Sequence, residues 1–275
     1  MRNFICILII CGNLGFLSGQ TLSNETVLIS TNYGSIKLKL YEETPLHKAN
    51  FLKLVKDKFY NKTLFHRIIA GFMIQGGDPL SKVAKTGDSL GHGDLGYTIP
   101  AEINESLIHK KGALCAAREA DAINPLFASS ASQFYIVVGK KRTMEDLKKY
   151  EDRINKAQIA NASRIFIQSE EGKKMKEQYN RYKEKQELDS AARINTAIEN
   201  RIQNGISLIK PYAFNAKQIE TYTTMGGTPH LDGTYTVFGE VVEGLDVVEF
   251  LSKVKTDKRD RPIEDIRIKV KILKN

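Results

Sequence analysis

The run Phe65-His66-Arg67-Ile68-Ile69-Ala70-Gly71-Phe72-Met73-Ile74-Gln75-Gly76-Gly77-Asp78 gathers side chains suited to one kind of chemistry. Arg67 stays charged and presents a rigid fork of donors. Gln75 adds an amide, and Phe72 and Met73 add apolar bulk. By residue type alone Arg67 is also an ordinary surface ion-pair partner, and aromatics on alternating strands are more often simple core. Other chemistries fail on spacing. His47, His66, His92, His109 and His230 are scattered, with no helical pair and no Cys-x-x-Cys partner, so no metal site is expected. Gly91-His92-Gly93 is too short for a phosphate-cradling loop, and no cofactor is implied. Cys115 reads as a small buried hydrophobe rather than a nucleophile. What remains is a fixed charged donor beside apolar side chains.

The elements that must position these groups follow from periodicity. Residues 27–29 lead through the turn Asn32-Tyr33-Gly34 into residues 36–41, where apolar and polar side chains alternate strictly, a hairpin with one buried face. Thr44 and Pro45 read as helix cap and first helical position, followed by Leu46, Ala49, Leu52 and Val55 at helical spacing. Further strands are expected at 63–69, 72–75, 113–116, 133–138, 235–241 and 266–272, with a helix at 246–254. Gly76-Gly77 permits a sharp exit between two of them. About eight short strands with two flanking helices predict a mainly β protein, a closed antiparallel barrel.

Residues 140–221 break the pattern with a helical insertion rich in Lys, Glu, Gln and Arg. Thr143 and Asn215 open segments resembling capping boxes, residues 170–188 form a charged helix, and Pro211 ends the last long one. The expected layout is a signal peptide at 1–19, a first barrel part at 25–139, the insertion at 140–221 and a second barrel part at 222–275.

A chain of 275 residues with 41% apolar content has enough material for a real core. Its 41 basic and 32 acidic side chains are interspersed, the pattern of a solvated surface, so no nucleic-acid partner is expected. Arg2 followed by apolar residues 4–10 and then small residues is the layout of a secretory signal peptide, with cleavage near Gly19 or Gln20. Gly12, Asn13 and Gly15 interrupt it too much for a membrane span. Cys11 invites a lipoprotein reading, but Ile10 stands where that signal wants a small residue. The mature chain is therefore expected outside the cytoplasm, periplasmic or secreted, with no stable membrane span. Cys6 and Cys11 leave with the leader, so Cys115 has no disulfide partner within the chain.

The run from Phe65 to Asp78 resembles the cyclophilin signature, with Ala70 where many members have proline. Ser132-Gln133-Phe134-Tyr135 resembles the second motif of that family, and Leu231-Asp232-Gly233 followed by Val237-Phe238-Gly239 resembles the third. The resemblance implies a cyclophilin-like barrel and a peptidyl-prolyl cis-trans isomerase acting on proline-containing polypeptides, here assisting exported proteins. It places Arg67 at the catalytic donor position and Gln75 where a side chain orients that arginine. Phe72, Met73, Tyr135 and Leu231 match the proline pocket, Gln133 a substrate contact, and Ala117 and Arg118 the backbone segment that pairs with an extended peptide. Tyr135 replaces a common phenylalanine, His230 a common tryptophan and Tyr235 a common histidine. The other reading is a proline-peptide-binding or chaperone-like module acting through the helical insertion, which is equally well read as a solvated hairpin.

Overall fold

The computed structural model describes residues 26–273, and the leader expected at 1–19 lies outside the described residues. The elements carrying the barrel begin with β1 (Thr26–Thr31), β2 (Gly34–Leu40), helix α1 (Pro45–Lys56), β3 (Phe65–Ile69) and β4 (Met73–Gly76). They continue through β5 (Thr98–Ile99), β6 (Ala113–Ala116), β7 (Ser129–Ser130) and β8 (Phe134–Val137). After the helical insertion come β9 (Val237–Glu243), α6 (Leu245–Leu251) and β10 (Lys269–Leu273). Eight strands form one sheet in the order β10-β1-β2-β9-β6-β8-β4-β3, every neighbouring pair antiparallel, while β5 and β7 make a separate small ribbon. The residues just ahead of the two edge strands join the sheet's ends. Lys62 N–H donates to the Ile268 carbonyl at 3.0 Å, Ile268 N–H to that of Thr63 at 2.9 Å and Phe65 N–H to that of Ile266 at 3.0 Å.

Successive side chains on a strand face opposite ways, so one set fills the interior. Val27, Ile29, Ile36, Leu38, Ile74, Leu114 and Ile136 are fully buried in one cluster, and α1 adds Phe51, Leu54 and Val55 to it while α6 adds Val248 and Leu251. Thr44 occupies the N-cap position of α1 without a capping side-chain bond. Glu102 supplies the cap instead: its carboxylate accepts from Leu46 N–H at 3.0 Å, His47 N–H at 2.9 Å and His47 Nδ1 at 2.6 Å. A carboxylate serves a helix start better than a hydroxyl because it meets both the open N–H groups and the positive end of the dipole. At the exit of β4, Gly77 has φ +89°, and a Cβ there would collide with the Ser132 carbonyl. Only glycine suits both conditions.

The segment between β8 and β9 folds into α2 (Met144–Gln168), α3 (Glu170–Glu184), α4 (Leu188–Ser207) and α5 (Ala216–Thr224). Capping boxes open α2, through Thr143 and Asp146, and α5, through Asn215 and Gln218. The charged helix ends at Glu184 rather than 188 because Gln186 takes a left-handed φ of 59°, which stops one helix and lets the next begin at Leu188. Helix α2 has 25 residues and is about 37 Å long. Its Leu147 and Ile154 pack with Phe214 and Tyr222 in a separate cluster that also takes in Ile108 from the barrel side.

Candidate active site

Strand register sets Arg67 opposite Gln75, Gln75 opposite Tyr135, and Tyr135 opposite Cys115, one row across β3, β4, β8 and β6. Alternation divides these strands. Ile68, Ile74, Phe134 and Ile136 belong to the interior cluster, while Met73, Cys115, Tyr135 and Val137 join Val237 in a second cluster on the opposite face. On that face a cavity of about 170 Å³ is lined by Arg67, Phe72, Met73, Gln75, Ala117, Arg118, Tyr135, Leu231 and Tyr235. Two of the residues singled out in the sequence lie elsewhere. Gln133 lines an adjoining cavity of about 620 Å³, which shares Gln75, Ala117 and Arg118. His230 stands behind the first cavity, its ring stacked on Phe72 with centroids 5.6 Å apart and facing Tyr150 of α2 at 5.6 Å.

Arg67 is held by Asp260, with Nε 3.5 Å from the carboxylate and both side chains 43% exposed. The Asp260 carbonyl accepts from Ile68 N–H at 2.8 Å, which stitches this distant turn to β3 beside the arginine. The terminal guanidinium nitrogens make no hydrogen bond among the described residues. Gln75 lies across from Arg67, yet its amide donates to Gln133 Oε1 at 3.0 Å, and Gln133 in turn donates to the carbonyls of Gly91 and Gly93 at 3.1 and 2.8 Å. Among the described residues Arg67 thus pairs with Asp260, and no bond joins it to Gln75. An ion pair outcompetes an amide for a guanidinium because both partners are charged.

The backbone expectation also narrows. Ala117 N–H already donates to the Gln133 carbonyl at 2.9 Å, and its own carbonyl accepts from Ser130 N–H at 2.8 Å. The Arg118 backbone has no partner among the described residues, so the open edge is Arg118 alone. The Arg118 side chain is a clamp: its guanidinium lies 4.2 Å from the Tyr235 ring centroid and 4.5 Å from that of Phe127, reaches Asp121 at 2.8 Å and donates to the Thr234 carbonyl at 2.8 Å. Burial pushes the Tyr135 phenol and the Cys115 thiol well above their usual ranges, so neither is an ionised nucleophile near neutral pH. Burial lowers His230 to about 4, with the positive charge of Arg153 adding to the effect, so that ring is neutral. Below Tyr135 lie His109 and Asp232, to which the sequence assigns no role: His109 is one of the scattered histidines, and Asp232 enters only as the middle residue of the motif Leu231-Asp232-Gly233.

The model of the family described as cyclophilin type peptidyl-prolyl cis-trans isomerase/CLD matches residues 26–151 and 152–272. The chain belongs to the cyclophilin-type peptidyl-prolyl cis-trans isomerase family. The cyclophilin match thus runs through both barrel parts and the helices between them. The chain is similar to peptidyl-prolyl cis-trans isomerase CYP71 of Arabidopsis thaliana, 28% identical over 91% of this chain and 25% of that protein. A putative bifunctional phosphatase/peptidyl-prolyl cis-trans isomerase of Streptococcus pyogenes is 29% identical over 90% of this chain and 39% of its own length. Against these two relatives the chain spans well under half their length. A putative peptidyl-prolyl cis-trans isomerase of Staphylococcus saprophyticus is closer in size, 26% identical over 92% of this chain and 93% of that protein. The crystal structure of a Cryptosporidium parvum cyclophilin type peptidyl-prolyl cis-trans isomerase shares the fold, with TM-score 0.51, 21% identity and coverage of 91% of this chain and 98% of that one. Among the described residues no helix is long and apolar enough to cross a membrane.

Proposed function

We propose that the chain catalyses cis-trans rotation about X-Pro bonds in polypeptides. Rotation about an amide faces a barrier of about 18–20 kcal/mol, and X-Pro bonds isomerise unaided over roughly tens to hundreds of seconds. In the twisted transition state the prolyl nitrogen recovers its lone pair and becomes a hydrogen-bond acceptor. A fixed donor aimed there stabilises that state above either planar ground state. The observation that carries the reading is Arg67, anchored through Nε at Asp260 on the rim of a cavity that Phe72, Met73, Tyr135 and Leu231 also line, with its terminal donors unengaged among the described residues. Phe72, Met73, Tyr135 and Leu231 hold the proline ring by exclusion of water, and the free Arg118 backbone offers an edge to the extended chain on either side. No proton changes hands. Tyr135, Cys115 and His230 all keep one charge state near neutrality, so kcat/KM is flat between about pH 6 and 8.

A peptide isomerisation assay comparing the native chain with Arg67→Ala tests this. A loss of roughly 10²-fold in kcat/KM is expected, the scale of removing one preorganised donor. Equal rates for the two would remove Arg67 from the mechanism.

The clients proposed are exported proteins, supported by Arg2 and the apolar residues 4–10. Mass spectrometry of the chain recovered from its host reads this directly: an intact Met1 start would overturn it. A chaperone-like contribution of the insertion is favoured by Ile159, Ile165 and Ile167 on α2, exposed to 44%, 42% and 41%. Replacing all three by serine would then slow assisted refolding of a protein substrate while sparing peptide turnover.

A further inference from the structure

Beneath the proline cavity lies a buried polar chain that the isomerase reaction, as argued above, does not use. Asp232 is 3% exposed and His109 fully buried. The Asp232 carboxylate accepts from His109 N–H at 2.9 Å, from His109 Nδ1 at 2.7 Å, from the Tyr222 hydroxyl at 2.5 Å and from the Tyr212 hydroxyl at 3.3 Å. Tyr222 belongs to α5, which runs past the expected end of the insertion at 221 to Thr224, and Tyr212 to the segment just before that helix, so the stretch between β8 and β9 supplies two of the four donors. On its other side His109 Nε2 lies 3.0 Å from the Tyr135 hydroxyl. Asp232 follows Leu231 directly, so the chain touches the cavity at both Leu231 and Tyr135.

The direction of each bond follows from the carboxylate, which only accepts. Burial and the Asp232 charge drive the Tyr222 and Tyr212 phenols far upward, so both remain protonated donors. In the tautomer that gives Nδ1–H to the Asp232 carboxylate, Nε2 carries the lone pair and accepts from the Tyr135 hydroxyl. The hydroxyl proton is thereby turned away from the cavity.

We infer that His109 and Asp232, held by Tyr212 and Tyr222 of the insertion, are positioning residues for the proline pocket: they commit the Tyr135 hydroxyl, so that the ring presents only an apolar face to the substrate. This rests on the isomerase reading. Released from His109, the hydroxyl keeps only the buried Cys115 thiol as a weak partner, and a proline ring packed on Tyr135 offers it none, which weakens binding rather than the rotation step. In this sense the insertion contributes to the rotation of a short peptide through the shape and polarity of the pocket.

The test is a peptide titration followed by NMR, using a short proline-containing peptide and reading Kd instead of turnover. His109→Asn keeps a donor at the Nδ1 position toward Asp232 and is too short to reach Tyr135. His109→Gln reaches toward Tyr135 and gives up the Asp232 contact. Asn at 109 should weaken binding about tenfold, the scale of one stranded buried hydroxyl, while Gln stays within about twofold even though its Tm falls further. In the Tyr135→Phe background, where no hydroxyl is left to strand, adding His109→Asn should cost nothing beyond the binding of Tyr135→Phe itself. A loss from His109→Asn that is equal in both backgrounds, or binding that merely tracks Tm across the set, would overturn the positioning role. Failure of the native chain to bind the peptide would overturn the isomerase reading and this inference with it. Binding that follows the cycle while Arg67→Ala turns over at the native rate would sink the donor mechanism alone.

Discussion

The inserted helices divide into two unlike regions. At the base, α2 and α5 bury Leu147, Ile154 and Tyr222 to 2%, 1% and 0% exposure, and Phe214 lies between them. At the tip, the buried residues of α3 and α4 are Gly172 and Ala191, and the surrounding surface is Lys, Glu and Arg. The base reaches the catalytic face: Tyr150 backs His230, Asn161 donates to the Pro125 carbonyl at 2.7 Å, and Tyr222 holds Asp232. The tip is held by α3 and α4 packing on each other and on the outer part of α2. An insertion in the sequence is therefore not one unit in the structure; half of it is scaffold for the site, and half is a solvated extension.

That contrast is broken or sharpened by substitution. Ile154→Ala in the base should cost about 2–5 kcal/mol in chemical denaturation, whereas Ile198→Ala on the half-buried face of α4 should cost under half as much. Comparable losses would erase the distinction. Tyr222→Phe removes one donor from a buried carboxylate, and an unfolding free energy lower by about 1.5–3 kcal/mol is expected. Stability should fall as pH drops, with the sign set by linkage. His230 has its folded value lowered from 6.5 to about 4, so the unfolded chain binds the extra proton first and stability is lost between those two values. His230→Phe keeps a ring against Phe72 and should make that decline shallower, by on the order of 1 kcal/mol given partial exposure. An unchanged slope would shift the acid sensitivity to His66, also lowered to about 4 by burial, and to His47, which burial lowers as well. The smallest effect belongs to the tip. Replacing α3 and α4 with a Gly/Ser linker of about 40 residues, whose reach is roughly 35 Å, should leave peptide turnover within about twofold.

Much of the barrel was legible because its signal is local. Residues 36–40 alternate, and burial alternates with them, so Ile36, Leu38 and Leu40 point inward. The site was legible where it is contiguous: Arg67, Phe72, Met73 and Gln75 sit on one hairpin. What escaped are partnerships across long sequence separations. Asp260 lies in the charged turn Arg259-Asp260-Arg261, with no periodicity to tie it to β3. Glu102 caps a helix that begins 57 residues earlier in the chain, and Thr44, the residue with the right local credentials, makes no capping bond. Asp232 and Tyr222 look like ordinary polar and aromatic positions until the insertion folds back over them. Local propensity names the elements, while charge pairing between distant segments decides which side chains the site contains.

The order of strands in the sheet also bears on how the chain acquires its shape. β2 lies beside β9, with Lys37 bonded to Glu243 across 206 positions, and β1 lies beside the last strand, β10. Neither hairpin edge can be covered until the whole insertion has been made, and such pairings are the slow events of folding. Helices form from neighbours within roughly a microsecond. Folded early, α2 to α5 replace a long floppy connection with a compact one and deliver β9 to its place, lowering the entropy cost of closing the barrel. An insertion that folds on its own thus adds less to the cost of closing the sheet than its length suggests.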